Sequence, residues 1–119
     1  MAYTDKFQAL SDTAISRVAA VAADQVDALM RDGAVALDIR DKEEHDADHI
    51  ANSLHVSRVK LQMNIEGVTP DLNTRALCYC NAYNRGALSA DTLRSMGYVN
   101  ACFIGGGLKA YRAISPKHG

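Results

Sequence analysis

Arg75-Ala76-Leu77-Cys78-Tyr79-Cys80-Asn81-Ala82-Tyr83-Asn84-Arg85-Gly86 is the stretch on which the fold turns. Arg75 to Cys80 reads as the clearest strand, with Ala76, Leu77, Cys78, Tyr79 and Cys80 nearly all apolar, the pattern of a strand in a sheet covered on both faces. The chain turns polar at Asn81. A helical pattern then runs from Ala87 to Met96, with Leu88 and Leu93 inward and Gly97 as its stop. A strand delivered by a short loop into a helix is half of a βαβ unit, and the rest of the chain supplies the other halves.

Working outward, Ala34 to Asp38 is a second brief apolar run, ending at Asp38-Ile39-Arg40. Arg17 to Val21 and Tyr98 to Ile104 read as further strands. Asp24 is expected to cap a helix that carries Val26, Leu29 and Met30 on one face and stops at Gly33. Lys42 to Asp48 is charged and makes at most two helical turns, and Ile50 to Val56 is apolar again. Ser57 to Asn73 is expected to be a loop with some helix. Gly105-Gly106-Gly107 is a tight turn into a final helix from Leu108 to Ile114. Residues 1–14 are polar and weakly patterned, a short helix or an ordered arm. The expected class is α/β, with a mainly parallel sheet of about five strands covered on both faces. The expected division is an N-terminal arm or helix over residues 1–15 and one domain over residues 16–119.

Bulk properties narrow the function. The chain has 119 residues, enough for one domain with a real core, and a net charge of -1. That charge gives no reason to expect nucleic acid or an anionic membrane as a partner. Aromatic residues are sparse and Trp is absent, which argues against a base-stacking surface. No stretch approaches the roughly 20 apolar residues that span a bilayer. The start of the chain does not read as a signal peptide, and a cytoplasmic location is expected. The three cysteines, Cys78, Cys80 and Cys102, are an odd number and do not suggest a disulfide framework. Cys78 and Cys80, one residue apart, also lack the spacer of a structural zinc site.

In an open parallel sheet, ligands sit at the carboxyl ends of the strands. Three groups of polar residues fall there: Asp38 with Arg40, the loop after Cys80, and the glycines after Ile104. Cys80 is the thiol best placed to react. Its loop is expected to turn backbone N–H groups inward, and the helix start adds positive potential. Both favour an anion there, and Arg85 adds a permanent positive charge. The sulfur then needs no histidine base to act as a nucleophile. Cys78 and Cys102 read as core thiols, with Cys78 as a resolving thiol the lesser alternative. His45 and His49 have the i, i+4 spacing of helix-borne metal ligands, with His55 nearby, but no Glu directly follows His45 and no metal is expected. Nor do the glycines at 105–107 make a dinucleotide fingerprint.

These residues carry a resemblance. Cys80-Asn81-Ala82-Tyr83-Asn84-Arg85 resembles the Cys-x4-Arg active-site loop of rhodanese-like domains. Leu37-Asp38-Ile39-Arg40 is similar to their Asp-x-Arg strand end. Glu44-His45-Asp46-Ala47-Asp48-His49-Ile50 looks like their Glu-[aromatic]-x-x-Gly-His-Ile signature, and Gly97-Tyr98 and Gly105-Gly106 are similar to later landmarks. The correspondence runs in order over residues 16–113. It implies a rhodanese-like three-layer α/β/α fold and a sulfurtransferase. Cys80 would take a sulfane sulfur from a small donor anion or a protein persulfide, hold it as a persulfide and pass it to a thiol or cyanide acceptor. The N–H groups of Asn81, Ala82, Tyr83, Asn84, Arg85 and Gly86 would cradle the anion. Arg85 would stiffen the loop through an acid or a carbonyl, or face the anion, with Asp38 and Arg40 in support. No cofactor is implied.

Related domains that act on phosphate esters carry one more loop residue, so the loop length favours sulfur. The chain departs from the commonest loop, Cys-Arg-x-Gly-x-Arg, at Asn81 and Tyr83. It departs again at Asp48 in place of glycine, and at Ala51-Asn52-Ser53 in place of Pro-Gly-Ala. A non-catalytic rhodanese-like binding module is the alternative, and thiol redox chemistry through Cys78 a third reading.

Overall fold

The computed structural model describes residues 3–116; the outermost positions of the two expected segments, residues 1–2 and 117–119, lie outside it. Five strands, β1 (Ala20–Val21), β2 (Val35–Asp38), β3 (Leu54–His55), β4 (Ala76–Tyr79) and β5 (Cys102–Ile104), form one sheet in the order β1-β5-β4-β2-β3. Every pairing is parallel. Among the described residues six α-helices accompany them: α1 (Asp5–Arg17), α2 (Val26–Arg31), α3 (Lys42–Ala47), α4 (Leu61–Val68), α5 (Asn84–Ser95) and α6 (Gly107–Ile114).

Period-two alternation divides the core. Leu37, Cys78, Cys80 and Phe103 face one side, where they pack with Ala14 and Val18 of the α1 segment, Leu61 and Ile65 of α4, and Ala87, Ala90 and Leu93 of α5. Ala36, Leu77, Tyr79 and Ile104 face the other, against Val26 of the α2 segment and Leu108 and Tyr111 of α6. The three-layer α/β/α expectation is met. Leu37 and Leu77 in the central strands are fully buried. Each such side chain contributes about 2 kcal/mol of transfer free energy. The Tyr79 hydroxyl is buried too; it accepts from the Ile50 N–H at 3.1 Å and lies 2.9 Å from Ser53 Oγ. Desolvation raises Tyr79 to a pKa of about 12, so the phenol stays neutral.

Several boundaries differ from the sequence reading. The strand expected over Arg17 to Val21 shortens to Ala20–Val21, with Arg17 ending α1 and Val18 as its C-cap. Thr4 caps α1 by accepting from the Phe7 N–H at 3.2 Å, and α1 continues through Arg17 because Ser11 and Ala14 bury against the α5 side. Only Ala20 and Val21 have a partner strand. Asp24 does not cap α2. Ala23–Gln25 is a 3-10 turn, so Asp24 sits inside the first turn, and the Val26 N–H bonds back to the Ala23 carbonyl. Helix α5 starts three residues earlier than the apolar spacing indicates: the Ala87 N–H donates to the Tyr83 carbonyl at 2.9 Å, which recruits Asn84–Gly86 into the first turn. The strand expected from Tyr98 shortens to Cys102–Ile104, because Tyr98 and Ala101 close a turn at 3.1 Å.

The chain's departures at 48 and 51–53 fit their backbone. Asp48 is extended at φ −166, which any residue adopts. Asn52 sits at φ 67, and asparagine tolerates that left-handed conformation better than other side-chain-bearing residues.

Candidate active site

The carboxyl ends of β2, β4 and β5 meet as expected. Cys80 follows β4 directly and is 3% exposed. The loop is held from below by α6: the Leu108 N–H donates to the Cys80 carbonyl at 2.8 Å and the Lys109 N–H to the Asn81 carbonyl at 3.2 Å. Those are first-turn N–H groups of α6, which a helix leaves without internal acceptors. With these two loop carbonyls so engaged, the N–H groups of Asn84, Arg85 and Gly86 in the first turn of α5 likewise have no acceptor within their own helix. Gly107 makes the approach possible. Its φ is +56, and a Cβ there would come within 2.7 Å of the Asn81 carbonyl carbon and closer still to the Cys80 oxygen.

Asp38 and Arg40 form a buried pair beside the loop. Arg40 Nε donates to Asp38 Oδ1 at 2.9 Å and Nη2 to Oδ2 at 2.7 Å, and the Arg40 backbone N–H adds a third bond at 3.0 Å. His45 Nδ1 lies 2.8 Å from the same carboxylate. Burial pushes the Asp38 carboxyl up, but the Arg40 and His45 hydrogen bonds outweigh it and hold it below the ordinary carboxylate value. Arg40 then reaches outward: Nη1 donates to Asn81 Oδ1 at 3.0 Å and Nη2 to the Asp48 carbonyl at 2.5 Å.

Glu44 is the residue the sequence reading did not place in the site. It accepts from Arg85 Nη1 at 2.8 Å and Nη2 at 3.0 Å, and from Asn81 Nδ2 at 3.0 Å. Asp38, Arg40, Asn81, Glu44 and Arg85 are thus one hydrogen-bonded chain around the loop. Of the two alternatives for Arg85, the structure shows pairing with an acid. The signal was present in the sequence, since Glu44 opens the signature whose histidine and isoleucine were read; its partner 41 residues away was not legible.

The Arg85 hydrogen bonds hold the Glu44 carboxyl at a pKa of about 2, against an ordinary 4.5. A depressed carboxylate contributes stability that is fully present above about pH 4.5 and is lost as pH falls through about 2. At this partly exposed position the contribution is about 1 kcal/mol. Urea midpoints of Glu44→Gln are therefore expected below the parent at neutral pH and to converge on it toward pH 2, and parallel curves would contradict this assignment.

The remaining candidates fall into place around this frame. Tyr83 sits at φ −124, a conformation that requires no glycine. Its side chain is half exposed, with its ring over Gly105 and its hydroxyl near Gly106. Ala82 joins Tyr83 and Asn84 in lining a shallow cleft against Tyr3 and Gln8. Gly86 lets α5 cross closely over β4, where a Cβ would stand 3.3 Å from the Cys78 carbonyl oxygen. Cys78 is fully buried, and desolvation pushes its thiol far up. Cys102 is buried and donates to the Ala76 carbonyl at 3.6 Å. All three thiols are free. The histidines stack, His45 on His49 at 3.9 Å and on His55 at 4.7 Å, each with a ring nitrogen against a protein acceptor.

The sequence profile of the rhodanese-like domain matches residues 22–114. A thiosulfate sulfurtransferase GlpE of Pseudomonas fluorescens (strain Pf0-1) is 33% identical over 93 residues, covering 78% of this chain and 84% of its own. A thiosulfate sulfurtransferase GlpE of Coxiella burnetii (strain RSA 493) is 30% identical over 82 residues, 69% of this chain and 75% of its own. Among solved structures, a Rhodopseudomonas palustris protein of unknown function, described as a possible tyrosine phosphatase, superposes with a TM-score of 0.85. It is 26% identical and covers 100% of this chain and 98% of its own. The human single-domain sulfurtransferase TSTD1, 20% identical, shares the fold with a TM-score of 0.70, covering 83% of this chain and 97% of its own. The chain belongs to the rhodanese-like domain family.

Proposed function

We propose that the protein is a sulfurtransferase in which Cys80 carries the sulfur. The observation that carries this reading is the short loop from Cys80 to Arg85, roofing the sheet at its carboxyl end, with both Arg85 terminal nitrogens engaged by Glu44. In the first step the Cys80 thiolate attacks the sulfane sulfur of a donor such as thiosulfate. The new S–S bond makes a persulfide, the donor's S–S bond breaks, and sulfite leaves with the electron pair. In the second step an acceptor thiolate attacks the outer sulfur, takes it as a new persulfide and returns the Cys80 thiolate. No net redox change occurs. The loop N–H groups from Asn81 to Gly86 stabilise the anion at each stage. Arg85 and Glu44 fix the loop, with Asp38 and Arg40 behind Asn81. The reading includes a cytoplasmic site of action, which suits three buried, unpaired cysteines.

A phosphatase reading has one observation in its favour, the description attached to the Rhodopseudomonas palustris structure. Against it, Glu44 turns one N–H of each Arg85 terminal nitrogen toward a carboxylate rather than a phosphoryl group, and the loop is one residue shorter than that of the related phosphate-ester domains.

Intact-mass measurement after incubation with thiosulfate tests both. The expected result is a gain of one sulfur atom, removed by cyanide and absent in Cys80→Ser, with no turnover of p-nitrophenyl phosphate. A protein that takes sulfur from neither thiosulfate nor a persulfide donor would be a binding module instead.

A further inference from the structure

The family profile begins at residue 22, yet a side-chain pair from ahead of it grips the reactive loop. Asn84 Nδ2 donates to Gln8 Oε1 at 3.0 Å, and Gln8 Nε2 returns a longer bond to Asn84 Oδ1 at 3.4 Å. Asp12, one turn along α1, accepts from Gln8 Nε2 at 2.9 Å and so sets which way the Gln8 amide faces. Asn84 is 7% exposed and opens α5 between Tyr83 and Arg85, so its amide is too enclosed to find water in place of Gln8. Nothing in α1 packing requires this bond. Ser11 and Ala14 bury the helix, and Gln8 is only half-buried.

We propose that Gln8 is a positioning residue for Cys80: by holding the Asn84 side chain, it fixes the turn at which the loop becomes α5. The proposal rests on Cys80 being the reactive thiol of the preceding section. Holding the first turn of α5 holds the N–H groups of Asn84, Arg85 and Gly86, the donors nearest the end of the loop. Titratable or charged groups around Cys80 include Arg85 and Glu44 beside the loop, Tyr83 within it, Arg40 and Asp38 behind Asn81, Cys78 beneath it, and Tyr3 ahead of α1 near Arg85. Gln8→Met leaves all of them in place while removing both amide contacts at nearly constant side-chain volume.

The test is a double-mutant cycle of Gln8→Met and Asn84→Ala, with Leu10→Ala as an exposed control on the same helix. Three quantities are measured at neutral pH: the rate of Cys80 alkylation by iodoacetamide, the ultraviolet absorbance of the thiolate, and the thermal midpoint. Alkylation is expected to slow about fivefold in Gln8→Met, the effect of about one hydrogen bond. Thiolate absorbance should fall with it, the midpoint should drop by roughly 5 °C as the enclosed Asn84 amide loses its partner, and the double variant should be no slower than Asn84→Ala alone. In sulfur loading from thiosulfate the saturating rate should fall while the half-saturating concentration stays. Alkylation and absorbance equal to the parent's, or effects that add across the cycle, would overturn the proposal. So would the same loss in Leu10→Ala. If the parent takes up no sulfur but the alkylation effect appears, the sulfurtransferase reading fails and the positioning role stands. If sulfur loads normally and Gln8→Met behaves as the parent, the reverse holds.

Discussion

Gly107→Ala is expected to cost about 3 kcal/mol or more of stability and to slow Cys80 chemistry roughly a hundredfold. Two penalties combine. The backbone at Gly107 is left-handed, at φ +56, which alone costs a residue with a side chain about 1 kcal/mol. The added methyl would then stand 2.7 Å from the Asn81 carbonyl carbon and 2.8 Å from the Ala82 nitrogen, contacts with backbone that no rotamer change relieves. Relief comes only by lifting the loop away from α6, which breaks the Leu108 and Lys109 hydrogen bonds to it. Gly67→Ala in α4 is the matched control, because nothing lies within 4 Å of its added methyl. There the helix gains up to about 1 kcal/mol from the better helix former. Thermal unfolding and iodoacetamide kinetics on both variants decide the matter. A Gly107→Ala protein as stable as Gly67→Ala would show that the loop does not rest on the helix as described.

Asp38→Ala should be the most damaging change at the strand ends, at about 3–5 kcal/mol. Asp38 is wholly buried and Arg40 is 3% exposed. Removing the carboxylate leaves an enclosed guanidinium without the two side-chain bonds that compensate its desolvation. It also strips the Arg40 N–H and the His45 ring of an acceptor. Because Arg40 also holds Asn81, the damage reaches the loop. Replacing both partners, Asp38→Ala with Arg40→Met, should recover a large part of the loss, since the cost lies in the orphaned charge rather than in the missing pair. Urea unfolding reads both. A single variant within about 1 kcal/mol of the parent would mean that the pair is solvated.

The legible part of the fold was its central layer. Ala34 to Asp38 and Ala76 to Cys80 announce buried parallel strands through unbroken apolar runs, and both are there. The edges were harder to read. The parallel edge strands β1 and β3 are two residues each, too short for any periodicity to show. Helix α1 shows its polar face outward and buries only small residues, Ser11 and Ala14, so its apolar signal is weak. At the site, Cys80, Arg85 and the Asp38–Arg40 strand end stood out by residue type and spacing. Glu44 and Gln8 did not, because what makes each important is a partner far along the chain, at Arg85 and Asn84.

Helix α6 also governs when the site can exist at all. The two N–H groups that seat the Cys80 loop belong to Leu108 and Lys109, made well after the cysteine itself. Strand β1 likewise waits for its sheet partner, since it pairs with Phe103 and Ile104. At roughly 5–20 residues per second, a ribosome takes a second or more to travel from Cys80 to the end of α6, and the tunnel delays that segment further. Throughout that interval the thiol belongs to a nascent chain without its seat. The Cys80 loop therefore gains its seat only after α6 has been made, and a chain that stalls before α6 lacks the two N–H groups that hold it.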